Sequence, residues 1–172
     1  MPIVLLSAWI TLMWQAAGAS GGPGPGVSLP LAQERAARIS NLRYDLEFEI
    51  PSSLDEPLAG TETIRFELRG ASAPLALDFS QPADRISILK VNGRATAARS
   101  ADGHVMLPPD LLQEGMNEVQ LRFTAGDAPL NRTAEFLYSL FVPARARLAF
   151  PCFDQPDLKA RWRLTLNVPA GW

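Results

Sequence analysis

The alternation of apolar and polar side chains is the feature that most restricts how this chain can fold. From Leu42 to Ile50 every second residue is apolar, and charged residues fill the positions between them. Successive side chains of a β-strand point to opposite faces, so this stretch predicts a strand with one buried and one solvated face. Shorter stretches of the same kind recur roughly every ten residues, with turn signals such as Asn92-Gly93 between them. The sequence therefore predicts an all-β fold, an antiparallel β-sandwich.

Charge and length narrow the range of functions. The 172 residues include 16 basic and 18 acidic side chains, which give a net charge of −2. This length favours a single domain with a core of its own. Proteins that bind nucleic acid usually carry a clustered basic excess, so the balanced charge argues against a nucleic-acid partner.

The scarcity of histidine and cysteine limits the chemistry. The sequence has one histidine, His104, and one cysteine, Cys152. One cysteine excludes an internal disulfide framework and a multi-cysteine zinc site, and one histidine argues against a self-contained zinc enzyme. We expect His104 to be a half-exposed strand residue beside a turn, and Cys152 to be a buried and unreactive side chain. The residues alone therefore indicate a β domain with no active site and no cofactor in this chain.

The beginning of the sequence has the pattern of an export signal. No charged side chain precedes Glu34, and an apolar run of about a dozen residues extends from Ile3 to Trp14. Small residues follow, with an A-x-A pattern at Ala17 and Ala19. This pattern predicts a signal peptide over residues 1–19 and export to the periplasm or to the outside, and the alternative is a buried hydrophobic helix. A membrane-spanning helix needs about 20 apolar residues, so no membrane span is expected.

The remaining chain divides by composition. Residues 20–37 are predicted to form a Gly/Pro-rich tether followed by a short helical turn, and residues 38–172 to form the β domain. Asn131 begins an Asn-Arg-Thr sequon, which would accept a glycan in a eukaryotic secreted protein.

A segment near the end of the sequence carries a specific motif. Residues 143–160 read P-A-R-A-R-L-A-F-P-C-F-D-Q-P-D-L-K-A. This segment resembles the signature of the N-terminal domain of zinc aminopeptidases of the aminopeptidase N type, the gluzincin family, which reads close to P-x-x-A-R-x-x-F-P-C-F-D-E/Q-P-x-x-K-A. The matching positions are Pro143, Ala146, Arg147, Phe150, Pro151, Cys152, Phe153, Asp154, Pro156, Lys159 and Ala160. The resemblance covers roughly Ile39 to Trp172.

The resemblance implies a non-catalytic domain. The fold would be the saddle-like N-terminal β domain of that family, C-terminally incomplete in this chain. The family's zinc site, H-E-x-x-H with a later Glu, and its G-x-M-E-N loop lie on a following thermolysin-like domain, and neither motif occurs in this sequence. Zinc is therefore expected in that catalytic domain, which would be the partner of this domain within the same parent protein and would act on peptide substrates.

The role of the motif residues is predicted to be structural. The two prolines Pro151 and Pro156 fix the backbone on either side of a turn. Asp154 could accept backbone N–H bonds from that turn, and Asp157 could pair with Lys159 or Arg161. Large aromatic side chains in the segment would add apolar area to the core.

The sequence departs from the family at two positions. Many members carry Gln-x-Glu just before the matched proline, and those side chains help to hold the free α-amino group of the substrate. Leu140 and Val142 occupy these positions here, and neither can accept a hydrogen bond from an ammonium group. We treat Leu140 and Val142 as cleft-lining candidates that would not recognise an amino terminus.

Two other functions fit the same sequence. One is a free-standing secreted β-sandwich that binds a partner and has no enzymatic activity. The other is an unrelated β-sandwich, such as a carbohydrate-binding domain, which would expose aromatic side chains on one strand face. The strand aromatics fall in the apolar register instead, which predicts that they are core residues. They are Tyr44, Phe48, Phe66, Phe79 and Phe123.

Overall fold

The computed structural model describes residues 22–172. Within them the chain forms one α-helix, α1 (Leu29–Arg38), and eleven strands. The strands are β1 (Ile39–Glu49), β2 (Ala59–Leu68), β3 (Leu75–Asp78), β4 (Ile86–Val91), β5 (Arg94–Ala95), β6 (Ser100–Ala101), β7 (His104–Leu107), β8 (Gly115–Thr124), β9 (Leu130–Arg132), β10 (Leu137–Ser139) and β11 (Arg161–Asn167). The predicted signal peptide lies outside the described residues. Among the described residues no helix is long and apolar enough to cross a membrane.

The helix α1 is longer than the one or two turns that the sequence predicted. Ser28 caps its start, where the hydroxyl accepts a hydrogen bond from the Leu31 amide at 3.4 Å. The helix ends where Ile39 takes up an extended conformation and begins β1. Its buried residues are Leu31 and Arg35, four positions apart on one face. A charged side chain therefore stands on the buried face of the helix.

The largest sheet has six strands in the order β11-β1-β2-β8-β4-β5. Neighbouring strands are antiparallel except for β1 and β11, which run parallel from the Arg43–Arg161 pair to the Glu49–Asn167 pair. This one pair departs from the antiparallel arrangement that the sequence predicted for the fold as a whole. Parallel and antiparallel strands share the same two-residue alternation, so the sequence pattern carries no information on strand direction.

A second layer covers the apolar face of the large sheet. It contains the three-stranded sheet β3-β7-β6 and the segment before β11, while β9 and β10 form a separate hairpin. Buried side chains from both layers form one apolar cluster. For example, the rings of Phe79 and Phe123 meet edge to face at 5.8 Å, and those of Phe66 and Phe153 at 5.7 Å. This arrangement confirms the predicted mainly β fold.

The strand aromatics are core residues, as the sequence predicted. Tyr44, Phe48, Phe66, Phe79 and Phe123 are all buried. A carbohydrate-binding face built from these five rings is therefore excluded.

The edge strand β11 has an open apolar face. Trp162, Leu164 and Leu166 alternate along it and are each about half exposed. Trp162 also stacks on the ring of Tyr44, with 4.0 Å between the centroids. The apolar side chains of β11 therefore extend the core-facing side of the large sheet past β1. At β11 the second layer no longer covers this side.

Candidate functional site

The motif segment, residues 143–160, lies across the core between the β9–β10 hairpin and β11. The rings of Phe150 and Phe153 are buried. Phe150 contacts Phe48 and Trp162 edge to face, at 6.2 and 5.8 Å between centroids. Phe150 of the motif segment and Trp162 of β11 thus pack on each other, and both add apolar area to the core.

The backbone of the motif segment is hydrogen-bonded to two strands. The amides and carbonyls of Asp78 and Cys152 exchange two bonds, at 2.8 and 2.9 Å. The amide of Phe153 donates to the Tyr44 hydroxyl at 3.0 Å. Cys152 itself is buried, and this burial raises the pKa of its thiol well above the usual value. A thiol that stays protonated is a poor nucleophile, so Cys152 acts as a small packing residue.

The carboxylates of the motif segment make local bonds. Asp154 Oδ2 accepts from the Arg147 amide at 3.2 Å and lies 3.7 Å from the Arg147 guanidinium. Burial raises the pKa of the Asp154 carboxyl. Asp157 Oδ1 accepts from Gln155 Nε2 at 2.9 Å, and in the described part of the chain it forms no ion pair with Lys159 or Arg161. The suggested Asp157 ion pairs are therefore replaced by a bond to Gln155.

The outer positions of the motif point away from the core. Pro143, Pro156 and Lys159 are exposed, whereas Pro151 is buried next to Cys152. The segment thus combines a buried centre with an exposed rim. None of the side chains in residues 143–160 is paired with another group in an arrangement typical of catalysis.

The buried carboxylate Asp78 collects hydrogen bonds from three parts of the chain. Its Oδ1 accepts from Arg35 Nη2 and from His104 Nδ1, both at 2.6 Å. Its Oδ2 accepts from Arg35 Nη1 and from the Asp154 amide, both at 2.8 Å. We call Arg35, Asp78 and His104 the Asp78 cluster. It joins α1, β3 and β7 to the motif segment.

Sequence reasoning missed Arg35 and Asp78. The available signal was the position of Arg35 one helical turn after Leu31, on the face that an amphipathic helix buries. The guanidinium also lies 5.4 Å from the centre of the Phe153 ring and donates to the Ala76 carbonyl at 2.8 Å. Arg35 therefore connects the helix to β3 and to the buried centre of the motif segment through several contacts at once.

The prediction for His104 is wrong. The side chain is fully buried instead of half exposed. It lies directly across from Asp78 in the antiparallel β3–β7 pair, and the sequence gives no sign of this pairing. A carboxylate partner in the neighbouring strand is what allows the polar ring to be buried.

The described residues do not fit a catalytic zinc ion. His104 uses both ring nitrogens for hydrogen bonds, and Asp78 is occupied by Arg35. Across residues 22–172 no group of three His, Cys, Asp or Glu side chains is placed to hold a metal ion. A zinc enzyme would also need an open coordination position beside a base.

The two cleft-lining candidates stand on an exposed apolar row. Leu140 and Val142 are 53% and 72% exposed, and Phe136 and Tyr138 precede them at 51% and 57%. The four residues are every second position from just before β10 to just after it, and the rings of Phe136 and Tyr138 stack with 6.3 Å between their centroids. Exposed apolar side chains that are grouped in this way mark surfaces that contact a partner.

An apolar groove lies beside this row. It has a volume of about 290 Å³ and runs between β1, the β9–β10 hairpin and β11. Among its lining residues are Leu46, Phe48, Phe141, Phe150, Leu164 and Leu166. The groove and the exposed row together form an apolar surface.

The sequence comparisons agree on one family. Residues 122–171 match the family described as the Peptidase M1 N-terminal domain. Aminopeptidase N of Streptomyces lividans is 25% identical over 161 residues, which cover 87% of this chain and 19% of that protein. A probable M1 family aminopeptidase 1 of Encephalitozoon cuniculi is 26% identical over 176 residues, which cover 93% of this chain and 20% of that protein. The chain spans about a fifth of the length of these relatives.

Solved structures show the same fold. An M1 zinc metallopeptidase from Deinococcus radiodurans superposes with a TM-score of 0.61 at 22% identity, over 75% of this chain and 32% of that one. An aminopeptidase A from Legionella pneumophila superposes with a TM-score of 0.63 at 14% identity, over 75% of this chain and 16% of that one.

The fold and the motif segment together define a mainly β domain whose signature residues pack and brace the core. The family match over residues 122–171 and the relatives identify what this domain is similar to. It resembles an N-terminal domain of the M1 aminopeptidases.

Proposed function

We propose that this domain is the non-catalytic N-terminal part of an exported zinc aminopeptidase-like protein. In this role it shapes and covers one side of a substrate cleft whose zinc-binding, thermolysin-like domain is a separate partner in the parent protein. The exposed apolar row, Phe136, Tyr138, Leu140 and Val142, is the observation that carries the proposal. This row directly precedes the motif segment by which the family is recognised.

The construction of the domain supports a bracing role. The polar groups of the motif segment form hydrogen bonds within the domain. The amides of Asp154 and Phe153 donate to Asp78 and Tyr44, and the Asp154 carboxylate accepts from the amide of Arg147. Its rim and the hairpin before it carry the exposed apolar side chains. A rigid base with an apolar rim can hold one wall of a cleft in a fixed position, since a packed core resists deformation.

The side chains of Leu140 and Val142 in the exposed apolar row favour apolar contacts. Leu140 and Val142 offer only methyl groups to whatever lies against them, and an ammonium group needs an acceptor. Recognition of a substrate's free amino terminus would therefore depend on the catalytic domain. Leu140 and Val142 would instead contact apolar parts of the peptide or of that domain.

The decisive test uses a chain that contains both domains. The DNA beyond the Trp172 codon should encode H-E-x-x-H, and the full-length protein should hydrolyse aminoacyl-p-nitroanilides with zinc bound. The double change Leu140→Gln and Val142→Glu should then lower KM for substrates with a free amino terminus. Ser139→Gln, at the last residue of β10 and directly before Leu140, is the matched control and should leave KM unchanged.

The chain alone supplies a second arm of the test. Purified residues 20–172 should neither hydrolyse aminoacyl-p-nitroanilides with added zinc nor retain one zinc ion after dialysis. Turnover that follows one bound zinc would overturn the accessory role. An unchanged KM in the double variant would show that the row does not line the cleft.

The alternative is a free-standing secreted binding module, and the same exposed row would then be its binding surface. A stop codon directly after Trp172, together with a stable, soluble 172-residue protein, would favour this alternative. A reading frame that encodes the zinc motif would exclude it.

A further inference from the structure

The ring of His104 has oxygen acceptors on both sides. Nδ1 lies 2.6 Å from Asp78 Oδ1, and Nε2 lies 3.2 and 3.1 Å from the carbonyl oxygens of Gly24 and Gly26. Carboxylate and carbonyl oxygens only accept hydrogen bonds, so each nitrogen must carry a proton to make these contacts. Either neutral tautomer would place a nitrogen lone pair against an oxygen. The geometry therefore matches the doubly protonated, positively charged ring.

We propose that His104 is a pH-sensitive attachment point, which holds residues 22–27 on the domain while it is an imidazolium and releases them when it loses one proton. Residues 22–27 are called the N-terminal segment below. This role is independent of the proposed aminopeptidase function, because it concerns only how the N-terminal segment is attached to the β domain.

The N-terminal segment has few other attachments. Within the described part of the chain, the hydrogen bonds that join residues 22–27 to the domain are the two from His104 Nε2. Most of the segment is exposed, and Gly26 adopts a φ of +76° that favours glycine. A Gly/Pro-rich segment gains much backbone freedom when it is released, so a modest loss of bonding can shift the equilibrium.

The charges around His104 come from several elements. Asp78 on β3 faces Nδ1, and Arg35 on α1 shares that carboxylate. The Asp154 amide donates to Asp78 from the motif segment, and Asp102 is exposed in the turn before His104. Of these groups only Asp78 bonds the ring directly, and it attracts the imidazolium, whereas Arg35 opposes it.

The direction of the pH dependence follows from these contacts. The hydrogen bond with Asp78 raises the pKa of His104 above its usual 6.5, although burial acts in the opposite direction. A raised folded pKa means that the attachment is complete below about pH 6.5 and is lost as the pH rises through the folded value. Burial alone would raise the pKa of Asp78, but hydrogen bonds from His104 and Arg35 lower it below 3.8. Asp78 therefore stays anionic over the range in which His104 titrates.

Nuclear magnetic resonance of the whole 15N-labelled chain tests the proposal by titration from about pH 5 to about pH 9. At the acid end both ring nitrogens of His104 should be protonated. The amide signals of Gly24 and Gly26 should shift with the midpoint of the ring, while the amide of buried Val105 should not. When His104 loses its charge, its hydrogen bonds to the N-terminal segment are lost. We therefore expect the ratio of attached to free N-terminal segment to fall about tenfold across the titration.

Two variants separate this role from ordinary packing. His104→Gln keeps an N–H donor but does not titrate, so the Gly24 and Gly26 signals should become independent of pH in this range. Asp102→Asn changes a neighbouring exposed charge at a positive φ that Asn tolerates, and it should leave the midpoint nearly unchanged.

Three results would overturn the proposal. The first is a neutral His104 ring at pH 6 in the unaltered protein, which can be read even if His104→Gln does not fold. The second is an unaltered titration of Gly24 and Gly26 in His104→Gln. The third is simultaneous loss of the Val105 signal, which would show that the whole domain unfolds instead of releasing the segment.

Discussion

Two buried carboxylates in this domain are treated in opposite ways. Asp78 accepts four hydrogen bonds, and two of its partners, Arg35 and His104, can carry positive charge. Glu62 on β2 is buried as well, but neither of its carboxylate oxygens has a hydrogen-bond partner among residues 22–172. The same functional group is therefore an anion that joins four elements in one place and an isolated acid in the other.

The positions of the two residues explain the difference. Asp78 lies at the end of β3, where α1, β7 and the motif segment meet and can supply donors. Glu62 lies in the middle of β2 between Leu46 and Leu121 of the neighbouring strands. Burial raises the pKa of Glu62 well above the usual 4.5, because the apolar surroundings favour the neutral form of its carboxyl. A buried carboxylate stays charged only where several elements converge on it.

The largest effect is expected when the charge partner of Asp78 is removed. Arg35→Met keeps the length of the side chain but leaves a buried carboxylate with one partner fewer. Loss of one member of a buried ion pair costs about 3–5 kcal/mol. We expect a large fall in the urea midpoint, or loss of folding if the domain is only marginally stable, and circular dichroism during urea titration measures it.

The control for this change is Arg43→Met. Arg43 is exposed on β1, so the same substitution there should change the free energy of unfolding by less than about 0.5 kcal/mol. Equal midpoints for the two variants would mean that the Asp78 cluster contributes no more than a surface charge.

An intermediate effect of opposite sign is expected at Glu62. Glu62→Leu removes a buried polar group that has no partner in the described part of the chain. It should therefore raise the free energy of unfolding by about 1–3 kcal/mol at neutral pH. A raised folded pKa means that Glu62 destabilises the fold increasingly as the pH rises from about 4.5 towards that value. The gain from Glu62→Leu should therefore be larger at pH 7 than at pH 4.

The measurement is a pair of urea titrations for each protein, at the two pH values. The comparison between variant and parent cancels the pH response of all other groups. A destabilised Glu62→Leu protein, or a gain that is independent of pH, would show that Glu62 has a partner or a role that its surroundings do not reveal.

The contrast also shows how far the sequence could predict this fold. Period-two alternation placed β1 within three residues of its observed start and put Phe66 and Phe123 in the core, because one face of each strand must be buried. The alternation is the same for parallel and antiparallel neighbours, so the parallel pairing of β11 with β1 could not be predicted from it.

The candidate site was less predictable from the residues. Arg35 and Asp78 are 43 positions apart, and His104 is 26 positions beyond Asp78. Their burial depends on contacts between distant elements. Considered one at a time, charged residues are expected to be exposed to solvent. The structural role of Phe150 and Phe153 came from the family motif, and their surroundings in the core account for it physically.

The smallest effect is expected for a charge pair on the outer face of the large sheet. Arg65 bridges Asp45 on β1 and Glu118 on β8, and all three side chains are more than a third exposed. Exposed ion pairs contribute about 0–1 kcal/mol, because water already solvates both partners and salt screens their attraction. Asp45→Asn should therefore lower the free energy of unfolding by less than about 1 kcal/mol, and the loss should disappear at about 1 M salt. The Arg35→Met effect should persist in the same salt, since a buried pair is screened much less. If salt removed both effects alike, the Asp78 cluster would have to be open to solvent, and burial could not be what distinguishes the two carboxylates from the surface.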